Sequence, residues 1–194
     1  MKKVLLIVAI LFSLAILIVP LVVTSSPTSE PTTIFAPDRQ RESQLEERHR
    51  ERIAKRRARQ AEFEHFMDST ILSHHYRFVP TMFNVEPAGS SHLITNPNVE
   101  LAVMGDWADV HLPIFQGFTP PYRLVVYNTS VNIPTLTTVQ TDNGWTISFD
   151  SWLYSSNDYT FTLEVYTKTG GATLTVSSDF YPTTSYWGSI VGMY

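Results

Sequence analysis

The densest group of side chains that could do chemistry lies between Asp106 and His111. If this segment is a strand, Asp109 and His111 point to the same face, because side chains alternate along a strand. A carboxylate and an imidazole are suitable ligands for a hard or borderline metal. Two ligands do not make a site, however, and no third is spaced to join them. We therefore expect the polar outer face of a hairpin here, without a metal.

A pair of carboxylates is also what a glycoside hydrolase uses, and Asp106 and Asp109 are the pair nearest to hand. No Gly-x-Ser-x-Gly elbow, Ser-x-x-Lys motif or glycine-rich phosphate loop accompanies them. A carboxylate-dependent hydrolase acting on envelope or extracellular glycans is therefore the alternative. The main expectation is a protein with no catalytic residue and no cofactor.

The aromatic side chains of the second half of the chain are more numerous than a small core requires. Outward-facing members of such a set can stack on sugar rings or on a partner protein. The opposing interpretation is an ordinary core with some edge cover. The candidate binding residues are the four tryptophans, Trp107, Trp145, Trp152 and Trp187.

The first 25 residues determine the cellular location that we predict for the protein. Lys2 and Lys3 precede an uncharged apolar run from Val4 to Val23, which is long enough to cross about 30 Å of hydrocarbon. Lysines on one side only predict that everything after Thr24 is exported. The run is either a signal peptide or a retained membrane anchor, and a mature N-terminus near Ser26 would rule out the anchor.

Cysteine is absent from the chain. Lipid attachment through an N-terminal cysteine, disulfides, thiolate catalysis and cysteine metal sites are all excluded. An exported domain of this kind must be held together by its core alone.

Residues 26–37 are rich in Ser, Thr and Pro and are predicted to be an extended tether.

Residues 38–75 are predicted to be a charged helix, with nine basic and seven acidic side chains between Asp38 and Glu64. We expect this helix to be solvated and stabilised by ion pairs between neighbouring turns. For the basic run from Lys55 to Arg59, the alternative to a solvated, ion-paired helix is a weak contact with anionic lipid. No nucleic-acid partner is expected. The end of the helix should pack on the following domain through a stripe comprising Ala58, Ala61, Phe66, Met67, Ile71 and Leu72.

Residues 76–194 change character. Three basic and nine acidic side chains give them a net charge of −6, and hydrophobic residues alternate with polar ones, as in Tyr159, Phe161, Leu163 and Val165. Period-two runs separated by turn residues predict half-buried antiparallel strands. Asn143-Gly144 predicts one hairpin turn and Lys168 to Gly171 another. The predicted fold is mostly β: an antiparallel sandwich or flattened barrel of seven to nine strands, preceded by one long charged helix.

Four segments of this region carry a family resemblance. Asp109 to Gly117 (DVHLPIFQG) resembles an Asp-x-Val-x-x-Leu-Pro-Tyr-x-Gly type segment, and Tyr76 to Pro80 follows a charged helix. Gly171 to Ser178 resembles a penultimate strand, and Ser185 to Ile190 a closing Tyr-x-Gly-x-Ile. In order and spacing they are similar to domain-of-unknown-function family 4251, over roughly Ala61 to Tyr194.

That resemblance implies an exported β-rich domain of no assigned activity, often lipid-anchored, and it supplies no catalytic residues. This chain departs from the lipid-anchored pattern because it lacks cysteine, so membrane attachment requires the apolar run to be retained. Together these observations predict an envelope-associated, periplasmic or membrane-anchored protein. They favour a non-catalytic binding or structural module with a protein or glycan partner.

Overall fold

The computed structural model describes residues 39–86, 89, 91–117, 119–153 and 158–193, with side chains from residue 41 onward. The apolar run 4–23 and the tether 26–37 lie outside the described residues. Among the helical residues that the structure describes, no stretch is both long and apolar enough to cross a bilayer. The chain divides into Met1–Leu45, of which only the start of a helix is described, and a compact unit, Glu46–Tyr194.

The helix α1 spans Arg39–Leu72. It ends where His74 adopts a positive φ of 54°, a conformation that L-residues rarely adopt inside a helix. His74 leads directly into the first strand, and its carbonyl accepts a hydrogen bond from the Gly105 amide at 2.8 Å.

Ten strands follow in the described part of the chain, one more than the upper end of the predicted range. They are β1 (His75–Glu86), β2 (His92–Leu93), β3 (Glu100–Met104), β4 (Trp107–Gln116), β5 (Arg123–Asn132), β6 (Leu136–Thr141), β7 (Gly144–Trp152), β8 (Asp158–Tyr166), β9 (Gly171–Ser177) and β10 (Thr183–Gly192).

All ten strands belong to one antiparallel sheet in the order β5-β4-β3-β1-β10-β9-β8-β7-β6, with β2 pairing to β1. The sheet is not closed, because β5 and β6 are its two edges. It curls so that β4 faces β10. The Tyr186 hydroxyl donates to the Pro113 carbonyl at 2.6 Å, and the Phe115 amide donates to Thr184 Oγ1 at 3.4 Å. The predicted mostly-β, sandwich-like fold is confirmed.

The core lies between the two halves of the curled sheet. Every second side chain of each long strand points inward, as the alternation predicted. In β8 the inward residues Tyr159, Phe161, Leu163 and Val165 are each at most 2% exposed. They join one cluster that includes Leu101 and the neighbouring inward residues of β3, β4 and β5. Burial of this continuous apolar surface is the main favourable term in folding.

Both predicted hairpin turns are present, and each lies one residue earlier than predicted. The β8–β9 turn spans Thr167 to Gly170, with Gly170 at a φ of 71°, and Gly171 already pairs with Tyr166. The β6–β7 turn lies one residue earlier than predicted: Thr141 pairs with Gly144, so Asp142 and Asn143 are the central residues. Gly144 has a positive φ of 149°, and there is also no room for a side chain at this position. A Cβ there would stand 2.0 Å from the Val165 carbonyl oxygen.

Only part of the predicted helical stripe packs on the sheet. Met67 and Ile71 are buried in the core, at 2% and 0% exposure. Ala58, Ala61 and Leu72 are exposed, and Phe66 is 40% exposed with its ring beside Gly192 of β10. Two hydrogen bonds reinforce the contact: Gln60 donates to the Lys168 carbonyl at 2.9 Å, and Trp145 Nε1 donates to Asp68 Oδ1 at 2.7 Å.

Candidate functional site

The candidate site is a groove of about 300 Å³ at one end of the curled sheet. We call it the tryptophan groove after its largest exposed side chain, Trp152, which is 67% exposed. Its lining combines one indole with two carboxylates and several smaller polar groups: Asn132, Pro134, Asp150, Ser151, Trp152, Asp158 and Thr160.

The pairing of β7 with β8 positions the charged side chains. Asp150 pairs with Thr160, and Trp152 pairs with Asp158. These four residues therefore occupy neighbouring positions on the outer face of the sheet, since directly paired residues point to the same side. The two aspartates stand on a diagonal of this arrangement, at a separation of about 7–8 Å between backbones.

Two hydrogen bonds hold the lining in place. Thr160 Oγ1 donates to Asp150 Oδ1 at 2.6 Å, which orients that carboxylate on the exposed face. Ser151 points to the opposite face of β7, and its hydroxyl donates to the Asn132 carbonyl at 3.3 Å. The second bond ties the end of β7 to the end of β5 across the opening of the sheet, so the groove has walls from both halves.

A second exposed indole lies beside this groove. Trp107 is 50% exposed and pairs directly with Asn132, a groove residue, across β4 and β5. Directly opposed side chains in an antiparallel pair are about 5 Å apart at Cβ. Two of the four predicted tryptophans therefore lie near Asn132 of β5: Trp107 on β4, which pairs with Asn132, and Trp152 on β7, whose end is hydrogen-bonded to the Asn132 carbonyl.

The other two predicted tryptophans lie elsewhere. Trp145 is half-buried at the start of β7, and its indole N–H is engaged by Asp68 of α1. Trp187 is half-buried on β10, opposite Met82. Neither lines the tryptophan groove.

The cluster singled out first in the sequence is divided between a turn and a strand. Asp106 is exposed in the β3–β4 turn. Asp109 and His111 share the outer face of β4 as predicted, and Asp109 Oδ1 accepts a hydrogen bond from Ser130. Neither Asp106 nor Asp109 lines the tryptophan groove. In the part of the chain that the structure describes, no three His, Asp or Glu side chains gather as a metal site.

His111 instead belongs to a larger polar groove, of about 460 Å³, on the outer face of β3, β4 and β5. Glu100, His111 and Asn128 form a direct cross-strand row there. Arg77 of β1 joins the row through an ion pair with Glu100 at 3.3 Å. The ion pair joins Arg77 Nη1 to Glu100, while Arg77 Nε is buried without a hydrogen-bond partner among the described residues, and the lining offers no large exposed aromatic face. This groove therefore has less to offer a ligand than the tryptophan groove.

A contact between two buried tyrosines lies in the interior, where Tyr159 points inward between the groove residues Asp158 and Thr160. The hydroxyls of Tyr127 and Tyr159 are 3.4 Å apart, and Gln116 donates to Tyr127. Burial raises the pKa of Tyr159 above its ordinary value, and the hydrogen bond with Tyr127 adds to the increase. Burial likewise raises the pKa of Tyr76 and of Tyr186. The charged form of each phenol is disfavoured because it would be removed from water.

Because these tyrosines are buried, we expect the free energy of unfolding to fall at alkaline pH. Their contribution is fully present below the unfolded-state pKa near 10 and is lost at higher pH, because the unfolded chain releases protons that the folded chain retains. Tyr76 and Tyr186 together should lower the free energy of unfolding by about 2 kcal/mol between pH 10 and pH 11. Urea titrations at the two pH values measure the loss.

Two phenylalanine variants identify the source of that loss. Tyr186→Phe should reduce the pH-dependent loss, since one buried titrating group is gone. Tyr166→Phe removes a hydroxyl from a 40% exposed ring and is the comparison variant. An equal pH dependence in all three proteins would contradict the assignment to buried tyrosines.

The fold and the groove together define a mostly-β protein: a single curled antiparallel sheet, a docked helix and an aromatic, acidic groove at one end. The comparisons with known proteins agree with this fold. The model of a family described as "Domain of unknown function (DUF4251)" matches residues 58–190, and the chain belongs to that family.

A solved structure supports the fold. The chain is similar to a DUF4251 family protein from Bacteroides eggerthii DSM 20697, whose crystal structure was determined at 1.95 Å resolution. The TM-score is 0.52 at 16% sequence identity, over 69% of this chain and 91% of the other. No protein with a curated description matches the chain. The resemblance inferred from the sequence is therefore confirmed, and the family carries no assigned activity.

Sequence reasoning missed Asp150, Asp158 and Asn132 as groove residues, although a signal for Asp150 was present. Because Trp145, Ile147 and Phe149 were assigned to one face of a strand, Asp150 and Trp152 had to point to the other. The position of Asp158 beside them depends on the register of β7 with β8, which the sequence does not state.

Proposed function

We propose that this protein is an exported, envelope-associated module that binds a glycan in the tryptophan groove without chemically changing it. The observation that carries the proposal is Trp152, 67% exposed on the outer face of β7 and paired with Asp158, with Asp150 two residues before it. The flat indole offers an apolar face for the C–H side of a sugar ring. The carboxylates accept hydrogen bonds from ring hydroxyls.

The size of the groove favours a small polar ligand over a protein partner. About 300 Å³ is near the lower end of the volumes that small-molecule sites occupy. A stable protein interface needs roughly 800 Å² from each partner, with a hydrophobic centre. The tryptophan groove has two carboxylates in its lining instead, so a ligand with several hydroxyl groups suits it better.

Export is the second part of the proposal, and its support comes from the sequence. Lys2 and Lys3 precede the apolar run, and no Lys or Arg follows it before Arg39. This asymmetry directs the remainder of the chain out of the cytoplasm. A reporter fused to the C-terminus that remained in the cytosol would contradict export, whatever the groove binds.

The test of the groove is a glycan-array screen with the wild-type chain, followed by titration of the sugar that binds. Trp152→Ala should weaken binding by about 10-fold to 100-fold, because stacking area and water exclusion are both lost. Tyr166→Ala is the matched control. It removes another exposed aromatic ring from the outer face, at the far end of β8, and should leave the affinity unchanged. Equal effects of the two variants, or no sugar bound by the wild type, would refute the proposal.

Hydrolysis is the alternative, and one observation favours it. Asp150 and Asp158 line the same groove from diagonal positions of β7 and β8, and a glycoside hydrolase likewise uses two carboxylates that flank one sugar bond. Both carboxylates are exposed, whereas a catalytic acid usually needs partial removal from water. Prolonged incubation with the bound sugar distinguishes the two functions. If the wild type leaves the sugar unchanged, binding alone is supported. If the wild type cleaves the sugar and Asp150→Asn does not, hydrolysis is supported.

A further inference from the structure

One face of α1 carries only positive charge over three turns. Arg48, Arg52, Lys55, Arg56 and Arg59 follow one another at helical steps of three or four residues, and all five are exposed. At 100° per residue they fall within an arc of about 100°. We call this set the basic stripe.

The basic stripe continues into two half-exposed aromatic rings. Phe63 and Phe66 lie four residues and seven residues after Arg59, and they are 38% and 40% exposed. Both project within the same arc of the helix, and one side of each ring lies against the sheet, Phe63 beside Gly170 and Phe66 beside Gly192. From Arg48 to Phe66 the surface is about 27 Å long at a rise of 1.5 Å per residue, cationic for most of its length and apolar at the end nearest the sheet.

The remaining charges of the helix are distributed differently. Glu47, Glu51 and Glu62 border the stripe along one edge, and Arg50 and Arg57 project from the opposite side. Arg50 lies 3.6 Å from Glu46 in an ion pair between successive turns. The opposite side thus fits the solvated, ion-paired helix that the sequence predicted, whereas the stripe does not.

The stripe is unfavourable for the helix by itself. Arg48 and Arg52, Arg52 and Arg56, and Lys55 and Arg59 are like charges four residues apart. Each such pair destabilises an isolated helix by about 0.2–0.5 kcal/mol. A negatively charged surface lying along the helix would convert this repulsion into attraction.

We propose that the basic stripe docks α1 lengthwise on an anionic lipid surface, with the exposed sides of Phe63 and Phe66 at the headgroup boundary. A row of cations ending in aromatic rings is typical of helices that lie on membranes. The sequence also places a bilayer within reach. Only 15 residues (24–38) separate the apolar run from Arg39, and a chain of that length spans at most about 50 Å. The inference does not depend on the tryptophan groove.

The absence of cysteine makes a direct experiment possible. In the full chain, Phe66→Cys carrying an environment-sensitive dye reports whether the stripe touches vesicles that contain a lipid quencher. We expect contact with vesicles of phosphatidylglycerol and phosphatidylcholine at 0.1 M NaCl. Contact should be lost at 0.5 M NaCl, where screening shortens the range of charge interactions, and on pure phosphatidylcholine. The dye reports contact by the helix whether or not the N-terminal segment inserts.

The decisive comparison is between two double variants of equal charge. R52Q/R56Q removes two stripe residues and should lower the ratio of docked to undocked protein about 25-fold, since each cation near the surface contributes roughly a factor of five. R50Q/R57Q removes two cations from the opposite side, about 10 Å away across the helix, and should lower the ratio less than about 3-fold. Glutamine preserves helix propensity, and circular dichroism verifies the helix in both.

Three outcomes would overturn the inference. Equal losses in the two double variants would show that only net charge matters. Equal contact with neutral and anionic vesicles would show that charge is not involved. Displacement of the dye from anionic vesicles by an equivalent concentration of a short DNA duplex would assign the stripe to nucleic acid instead of lipid.

Discussion

Phe161→Ala is expected to lower the free energy of unfolding by about 3–5 kcal/mol. Phe161 is fully buried on the inner face of β8. Its ring stacks on that of Phe149, its direct partner on β7, with centroids 4.8 Å apart and planes 6° from parallel. Truncation removes the buried apolar surface and leaves a cavity that the two facing halves of the sheet cannot fully close. Urea denaturation measures the loss directly.

Phe180→Ala is the matched control for that substitution. Phe180 is 54% exposed, so the same atoms are removed from a site that is already half in water. The expected cost is below about 1 kcal/mol. A small domain has only about 5–15 kcal/mol of stability in total, so the two variants should differ visibly in thermal melting. Similar melting temperatures would mean that Phe161 does not lie in a packed core.

The inner face of the sheet was predictable because a strand has a fixed period. Once Tyr159, Phe161, Leu163 and Val165 were placed on one face, their burial followed from the need to cover one side of the sheet. The same parity separated Trp152, which points outward, from Trp145, which points inward beside α1. The fold class and the exposure of the groove's indole were therefore accessible from the sequence.

The assembled groove was not accessible, because it depends on contacts between distant strands. Asn132 reaches the tryptophan groove because the end of β5 lies against β7, where Ser151 donates a hydrogen bond to the Asn132 carbonyl. Asp158 lies beside Trp152 through one particular register of β7 and β8. A shift of one residue would turn Asp158 to the other face. The alternation of side chains along a strand predicts which face of the sheet each residue occupies, but it does not predict the residue opposite it on the neighbouring strand.

A different limitation explains the helix. The sequence predicted a six-residue contact stripe, yet only the last turns of α1 reach the sheet, so Met67 and Ile71 are buried while Ala58 and Ala61 remain in solvent. Helical period defines a face over the whole length of a helix. Where along that face a partner begins depends on tertiary structure.

Ile71→Ala is the second substitution with a large expected effect, a loss of about 2–5 kcal/mol in the free energy of unfolding. Ile71 is fully buried, and it anchors the last turn of α1 in the same core cluster as the strands. Its loss should therefore destabilise helix and sheet together. Urea transitions followed by circular dichroism and by tryptophan fluorescence should coincide at a lower midpoint, with an unchanged slope.

Leu72→Ala tests whether this cost comes from burial or from the helix itself. Leucine and isoleucine lose the same number of carbon atoms on truncation, and the two positions are neighbours in the last turn of α1. Leu72 is 58% exposed, so its variant should cost less than about 1 kcal/mol. If the two variants were equally unstable, the anchoring role of Ile71 would be wrong. If Ile71→Ala separated the two transitions, α1 would be a helix that unfolds independently of the sheet, and the Trp145–Asp68 hydrogen bond would break before the core opened.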